Sequence, residues 1–243
     1  MKIIKLSAID STNSFLKEMA TNSALENYTI VAADSQLNGR GQQGSGWESE
    51  PYKNLIFSTF VSFRDLAVAN KKYLNFAVSL AIYEALIAEN IPLVSIKWPN
   101  DILSGNKKIC GVLIENSLKG ANISSSIIGI GLNVNQTIFS ESLKKASSLK
   151  LISGVDFNLD ELLKKIIAKL QLKITMLNAK DFNALEVAYL NVLYKKNIPT
   201  MFKNSNDVLF MGIIRGISNS GKIQIELDDE TTEEFGIKEV SFL

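Results

Sequence analysis

The chain has no histidine, one cysteine and three arginines among its 243 residues. Without histidine it has no Ser-His-Asp or Cys-His nucleophile, no imidazole general base and no imidazole metal ligand. The single cysteine, Cys110, excludes an internal disulfide and a cysteine-rich zinc site. An enzyme of this composition therefore depends on lysine, arginine, carboxylates, backbone amides or a bound ion.

Long apolar runs are missing too. No stretch approaches the ~20 residues of a transmembrane helix, and the N-terminal residues lack the apolar run of a signal peptide. The 26 Lys and Arg residues against 25 Asp and Glu give a net charge of +1, which argues against a basic groove for nonspecific nucleic-acid binding. The 46% of hydrophobic residues suffices for a packed core. We therefore expect a soluble, cytoplasmic protein with no membrane segment.

Strand and helix patterns alternate along most of the chain. Strands are predicted at 2–8, 28–33, 54–63, 94–97, 108–115 and 124–134, and helices after 10–13 and at 66–89, 160–177 and 181–194. Beyond 197–199 the pattern changes to short strands, at 208–211, 213–217, 222–227 and 231–236. The sequence predicts an α/β (α+β) domain at 1–195, followed by a small all-β domain at 196–243.

A glycine-rich loop surrounds Arg40. Residues 39–44 fit G-x-G-x-x-G, but the loop continues through Trp47 into a strand, whereas a dinucleotide fingerprint must open a helix. Two interpretations remain at this point. The loop is an ordinary hairpin, or its glycine amides and Arg40 form a cradle for an anion.

Three further segments have both an ordinary and a functional interpretation. Residues 97–101, Lys-Trp-Pro-Asn-Asp, form a turn at a strand end, where an aromatic ring and a carboxylate are also well placed for a site. Residues 107–115 contain two lysines at a strand entry and Gly111, where a ligand could approach the backbone. Residues 129–135, Gly-Ile-Gly-Leu-Asn-Val-Asn, are either core packing or the wall of a ligand site.

Taken in order, these segments resemble the biotin–protein ligases, whose motifs are G-R-G-x-x-G-x-x-W, K-W-P-N-D, K-x-x-G and G-x-G-x-N. A preceding D-S-T-N segment is matched by residues 10–13. The resemblance covers essentially the whole chain. It implies a mixed-sheet core like that of class II aminoacyl-tRNA synthetases and lipoate ligases, and a C-terminal SH3-like barrel.

The resemblance also implies an activity. Such a ligase condenses biotin with ATP to give biotinyl-5′-AMP and pyrophosphate, and then transfers biotin to a lysine of a biotin carboxyl carrier protein. Joining two anions requires cations, and the biotin carboxylate is already ionised at pH 7, so the lack of histidine is compatible with this chemistry. Mg²⁺ is expected to screen the triphosphate, with ligands unknown.

The family's functional residues can be carried over only where the motifs match. Arg40 and Lys108 match the catalytic cations that contact the biotin carboxylate and the α-phosphate. The biotin-binding positions are Ser11, Thr12, Asn13, Gln36, Arg40, Gly41, Gln42, Lys108 and Gly111. The ATP-binding positions are Gly39, Arg40, Gly44, Ser45, Trp47, Lys108 and Asn133.

Two departures from the family matter. Many relatives carry two or three arginines in the loop, whereas this chain has Gln42, Gln43 and Ser45, so adenylate retention is in question; Lys53 is a candidate replacement charge. The match to D-S-T-N begins at residue 10, so we expect no DNA-binding domain and no DNA partner. Two alternative functions stay open: a lipoate or octanoate transferase of the same fold, and a non-catalytic biotin or biotinyl-AMP sensor. A monomer and a homodimer are equally compatible with the sequence.

Overall fold

A computed structural model describes residues 2–243 and contains two sheets. Seven strands form the first sheet, in the order β1-β2-β3-β7-β6-β5-β4. They are β1 (Ile3–Leu6), β2 (Ile30–Ala33), β3 (Leu55–Ala67), β4 (Val94–Lys97), β5 (Asp101–Ser104), β6 (Lys107–Lys119) and β7 (Asn122–Leu132). Only the β1–β2 pair among them is parallel, so the sheet is mixed, as expected.

The helices cover the two faces of this sheet unequally. They are α1 (Thr12–Asn22), α2 (Lys71–Ala88), α3 (Leu149–Ser153), α4 (Leu159–Asn178) and α5 (Phe182–Asn191). The main core includes Ile30 and side chains of α2, α4 and α5, whereas Val31, next in the chain, packs with Leu16 of α1 in a separate cluster. Because neighbouring strand residues face opposite sides, α1 lies on the other face and leaves part of it open.

Local sequence explains how the two best-predicted helices begin. The Ser11 hydroxyl caps α1 by accepting a hydrogen bond from the Ser14 amide at 3.4 Å. The Asn158 side chain caps α4 in the same way. The apolar stripe of α4 is buried as its spacing predicts, at Leu162, Ile166, Leu170 and Ile174.

The C-terminal part forms a five-stranded antiparallel sheet in the order β11-β10-β9-β8-β12. Its strands are β8 (Pro199–Asn204), β9 (Leu209–Ile217), β10 (Ile223–Leu227), β11 (Thr232–Phe235) and β12 (Val240–Phe242). The expected all-β unit is thus present. Its closure into an SH3-like barrel and the 195/196 boundary, which falls between α5 and β8, stay predictions.

The segment between the two sheets is hydrogen-bonded to both. The Ile96 amide donates to the Val192 carbonyl at 2.9 Å, and the Tyr194 amide donates back to Ile96 at 2.8 Å. Three residues later the Asn197 amide donates to the Ile214 carbonyl in β9 at 3.0 Å. The two sheets are therefore joined by a bonded segment that lies along the edge strand β4.

Several sequence-based bounds were wrong. The helix predicted at 66–89 begins at Lys71, because β3 continues to Ala67 and pairs with Asn122. The strands predicted at 208–211 and 213–217 are one strand, β9, and the helix predicted at 181–194 ends at Asn191. Short elements were missed altogether: α3, β5, β8 and β12. Each missed strand has six residues or fewer and is stabilised by its neighbours in the sheet, so periodicity alone does not reveal it. None of the helices in the described part of the chain is both long and apolar enough to cross a membrane.

Candidate functional site

The open part of the first sheet is the floor of a cleft. Residues paired directly across neighbouring strands point to the same side, and here they form two rows. The rows are Ile56–Gly131–Gly111–Asp101 and Ser58–Gly129–Leu113. Glycine occupies three of these seven positions, so the floor lies unusually close to the backbone.

The glycines allow other side chains to lie directly on the strands. A Cβ added to Gly129 would lie 2.2 Å from Asn13 Oδ1, and one added to Gly131 would lie 2.4 Å from Trp47 Cε2. A Cβ on Gly111 would meet the same indole at 3.0 Å. All three strand glycines therefore allow a close approach, which the sequence predicted only for Gly111, and the groups above them are the side chains of Asn13 and Trp47.

One wall of the cleft is the start of α1. Ser11, Thr12 and Asn13 are buried there. The Thr12 amide donates to Gln36 Oε1 at 2.8 Å, the Thr12 and Ser58 hydroxyl oxygens are 2.7 Å apart, and Ser58 donates to Asn13 Oδ1 at 2.6 Å. The polar groups of this wall are thus fixed in position by one another. Ser58 of β3 was missed by the sequence analysis.

Arg40 reaches across the cleft to a carboxylate that the motifs do not include. Its guanidinium donates to the Ser14 hydroxyl at 2.9 Å and to Glu115 Oε1 at 3.1 Å. Asn13 Nδ2 donates to the other Glu115 oxygen at 3.0 Å, and Lys17 is 3.4 Å from the first. Burial alone raises the pKa of Glu115, but the Asn13 hydrogen bond and the charges on Arg40 and Lys17 outweigh it, and the pKa is lowered.

Glu115 could have been found from the strand period. Side chains two residues apart along a strand share a face, and Glu115 follows Gly111 and Leu113 at that spacing in β6. A carboxylate on the face that carries Gly111 belongs to the same site. From the sequence, residue 115 was predicted only as the end of a strand.

The second cation, Lys108, is paired with the last residue of the Lys-Trp-Pro-Asn-Asp turn. Its ammonium lies 2.7 Å from Asp101 Oδ1 and 5.5 Å from the centre of a Trp47 ring. The neighbouring Lys107 is exposed, and its ammonium donates to the Lys144 carbonyl at 2.7 Å. Of the two adjacent lysines, Lys108 therefore faces the cleft.

Two residues of the strands beneath these cations, Lys97 and Cys110, also have shifted pKa values. Burial lowers the pKa of Lys97, whereas the charge of Asp101 acts in the opposite direction. Complete burial raises the pKa of the Cys110 thiol far above its usual range. Cys110 is therefore a core residue beneath the site and no nucleophile.

The glycine-rich loop is a hairpin that also lines the cleft. The Gly41 amide donates to the Ser45 carbonyl at 2.6 Å, and the Trp47 amide donates to the Gly39 carbonyl at 2.9 Å. No helix follows the loop; the chain runs on into β3. The two interpretations of the sequence are therefore compatible, because a hairpin presents Arg40 and Trp47 to the cleft.

Most of the predicted site residues converge on this cleft, whose volume is about 210 Å³. Those that line it are Ser11, Thr12, Asn13, Gln36, Arg40, Gly41, Gln42, Ser45, Trp47, Lys108 and Gly111. Three do not: Gly39 packs under the Trp47 carbonyl, Gly44 has a left-handed backbone (φ +79°) with open space around it, and Asn133 is buried.

Three polar atoms of the predicted site residues are buried without a partner among residues 2–243. They are Gln42 Oε1, Trp47 Nε1 and Asn133 Oδ1. The Asn133 Nδ2 group is satisfied by the Ser147 carbonyl at 3.0 Å. Leaving such atoms unpaired costs free energy, so they are positions where a ligand's donor or acceptor would stabilise the protein.

Some contributions to the cleft differ from those expected. Lys53, the candidate replacement charge, does not line it, whereas Ile237, from the turn between β11 and β12, does. No group of three or more His, Cys, Asp or Glu residues in the described part of the chain could hold a metal ion.

Comparison with known proteins identifies the family. Residues 6–133, which contain the whole cleft floor and the glycine-rich loop, match the model of the Biotin/lipoate A/B protein ligase family. The chain belongs to this family. Among curated family relatives, it is 36% identical over 134 residues to the bifunctional ligase/repressor BirA of Bacillus spizizenii, and 33% identical over 129 residues to the biotin–[acetyl-CoA-carboxylase] ligase of Mycobacterium tuberculosis.

The match to the Bacillus spizizenii protein covers 55% of this chain and 41% of that protein, and the match to the Mycobacterium tuberculosis ligase covers 52% and 47%. The chain therefore spans about half the length of these curated relatives, or less. The structure is similar over nearly its full length to a biotin protein ligase from Aquifex aeolicus in complex with biotin and ATP. That comparison has a TM-score of 0.80 and 28% sequence identity, and covers 99% of this chain and 97% of the other. It confirms the expected fold, including the C-terminal β unit.

Proposed function

We propose that the chain is a biotin–protein ligase that forms biotinyl-5′-AMP from biotin and ATP and transfers the biotinyl group to a lysine of a biotin carboxyl carrier protein. The observation that carries the proposal is the position of two cations, Arg40 and Lys108, at one glycine-floored cleft. Each is already paired with a carboxylate, Glu115 and Asp101 respectively. The site is therefore built to hold carboxylate and phosphate oxygens next to fixed positive charge.

The first half-reaction needs no base from the protein. An oxygen of the biotin carboxylate attacks the α-phosphorus of ATP, a new P–O bond forms, and the bond from the α-phosphorus to the bridging oxygen breaks to release pyrophosphate. Lys108 and Arg40 offset the repulsion between the two approaching anions. To do so, each cation exchanges its carboxylate partner for an oxygen of the substrate.

In the second half-reaction, the amine of the acceptor lysine attacks the acyl carbon and AMP leaves. The amine must lose a proton in this step. The acceptor is proposed to be the carrier domain of a biotin-dependent carboxylase, in keeping with the biotin–[acetyl-CoA-carboxylase] ligases among the relatives.

Biotin is proposed to lie along the wall formed by the start of α1. Its ureido group needs a few fixed polar partners, and its ring and chain need apolar surface. Ser11, Thr12, Asn13 and Gln36 supply the first, and their mutual hydrogen bonds organise them before binding. Gly41, Gln42 and Gly111 complete this part of the proposed site.

The nucleotide is proposed to lie between the glycine-rich loop and the Asn133 end of β7. There, Trp47 Nε1 and Asn133 Oδ1 are buried without partners among residues 2–243. Gly39, Gly44 and Ser45 shape the hairpin that carries Trp47. Mg²⁺ is proposed to arrive with ATP, because it is commonly bound through substrate phosphates and few protein carboxylates. A protein that uses ATP in this way is proposed to act in the cytoplasm.

The test measures pyrophosphate released from ATP with one organic acid at a time. Biotin is expected to give biotinyl-AMP and pyrophosphate, and addition of a purified carrier domain is expected to give biotinylated protein and AMP. The family also includes lipoate ligases, so lipoate and octanoate are the comparison acids. Pyrophosphate with lipoate but none with biotin would overturn the proposal, and tight biotin binding with no pyrophosphate would favour a sensor.

A further inference from the structure

The glycine-rich loop contacts a lysine from the turn between β11 and β12. Lys238 Nζ donates a hydrogen bond to the Gln43 carbonyl at 2.9 Å, across 195 residues of sequence. Within the loop itself Arg40 is the sole cation, and its guanidinium is engaged by Glu115. Lys238 therefore brings a second positive charge to a loop whose own single cation is engaged elsewhere.

Both residues of this contact have an unfavourable backbone conformation. Gln43 has φ +49° and Lys238 has φ +67°, in the left-handed region that non-glycine residues seldom occupy. Such conformations persist where the surrounding structure compensates for them. The glycine-rich loop and the turn that carries Lys238 therefore meet at two residues whose backbone conformations are locally unfavourable.

The turn that carries Lys238, residues 236–239, is organised to face the loop. The Gly236 amide donates to the Glu239 carboxylate at 2.5 Å, which closes the turn between β11 and β12. Its tip residue, Ile237, lines the main cleft and also an adjoining cavity, with Gln42 and Pro99 shared between the two. The turn thus forms part of the cleft wall as well as an anchor for the loop.

We propose that Lys238 is a positioning residue: it holds the glycine-rich loop over the cleft through the Gln43 carbonyl and so slows escape of the bound adenylate. This inference rests on the proposed function for the identity of the ligand. The contact is charge-assisted but exposed, so its loss should change loop opening and adenylate release by roughly three- to tenfold rather than abolish activity.

The first experiment tests the contact without any substrate. Trypsin cuts after Arg40 only when the hairpin opens, so the rate of that cut, followed by mass spectrometry on the full chain, reports loop opening. Lys238→Met is expected to accelerate the cut three- to tenfold, and Lys238→Arg to restore it. Lys203→Met is the matched control, because Lys203 is also a C-terminal lysine but pairs with Asp207 away from the cleft. Equal cutting of wild type and Lys238→Met would overturn the proposal.

The second experiment measures dissociation of labelled biotinyl-AMP. Lys238→Met is expected to release it three- to tenfold faster, while single-turnover adenylate formation at saturating ATP stays within about twofold. Faster cutting with unchanged release would refute the link to retention. If wild type forms no biotinyl-AMP at all, the proposed function fails, whereas the proteolysis rates still decide whether Lys238 holds the loop.

Discussion

Lys108 offers the sharpest test of the chemistry, because its substitution removes a positive charge and also exposes a negative one. Its ammonium lies 2.7 Å from Asp101, and the two side chains are 37% and 24% exposed. In Lys108→Ala the Asp101 carboxylate keeps its place at the cleft floor without that cation. The variant therefore loses attraction for the substrate oxygens and gains repulsion.

Two estimates give the size of the effect. Removal of one preorganised group that stabilises transition-state charge costs about 10²- to 10³-fold in rate. Two unit charges about 4 Å apart in a partly screened site interact by about 4 kcal/mol, which corresponds to a similar factor. Adenylate formation in Lys108→Ala should therefore fall by about 10²-fold or more.

The assay is single-turnover formation of labelled biotinyl-AMP at saturating ATP and biotin. Lys107→Ala is the matched control, since Lys107 donates to the Lys144 carbonyl outside the cleft and should stay near wild type. The double variant Lys108→Ala, Asp101→Asn should regain about tenfold, because like charges brought together cost several kcal/mol. A Lys108→Ala rate within threefold of wild type would refute the role of Lys108 as the shared cation.

Three other substitutions or modifications test the rest of the site. In Gly131→Ala the added Cβ would lie 2.4 Å from Trp47 Cε2. Because carbon atoms in contact lie ~3.5–4.0 Å apart, the indole should move by about 1 Å. The KM for ATP should then rise about tenfold or more, and an unchanged KM would mean that the ring does not contact the nucleotide. Cys110 should resist iodoacetamide at pH 8 in the native protein and react once it is unfolded, because burial raises its pKa and suppresses the thiolate; rapid native alkylation would contradict its burial. Gln42→Arg should slow dissociation of biotinyl-AMP severalfold while adenylate formation changes little, because charge-assisted hydrogen bonds are about twice as strong as neutral ones. Equal dissociation rates in the wild type and the variant would show that an arginine at position 42 has no bearing on retention.

The sequence reveals the parts of the site that depend on local pattern. Strand glycines at 111, 129 and 131 are visible because glycine weakens a strand unless something must come close to it. The N-cap cluster at residues 10–13 is visible because serine, threonine and asparagine begin helices. These signals require only neighbouring residues, and the structure brings nearly all of them to one cleft.

The parts that were missed depend on pairing between distant segments. Ser58 contacts Thr12 and Asn13 only because β3 lies beside β7 under α1, a register that no local pattern encodes. Glu115 had a local signal in its strand period, but its partner Arg40 lies 75 residues away. Ile237 and Lys238 carry no signal at all, since a surface turn of a small β unit gives no indication of which loop it meets.

The hydrogen-bonded segment between the two sheets connects the C-terminal unit mechanically to the cleft. Its hydrogen bonds run from β9 to Ile96, and β4 ends one residue later at Lys97. The turn that follows leads directly to Asp101, the first residue of β5 and the partner of Lys108. A displacement of the small sheet would therefore be transmitted to the Lys108–Asp101 ion pair through hydrogen-bonded strands.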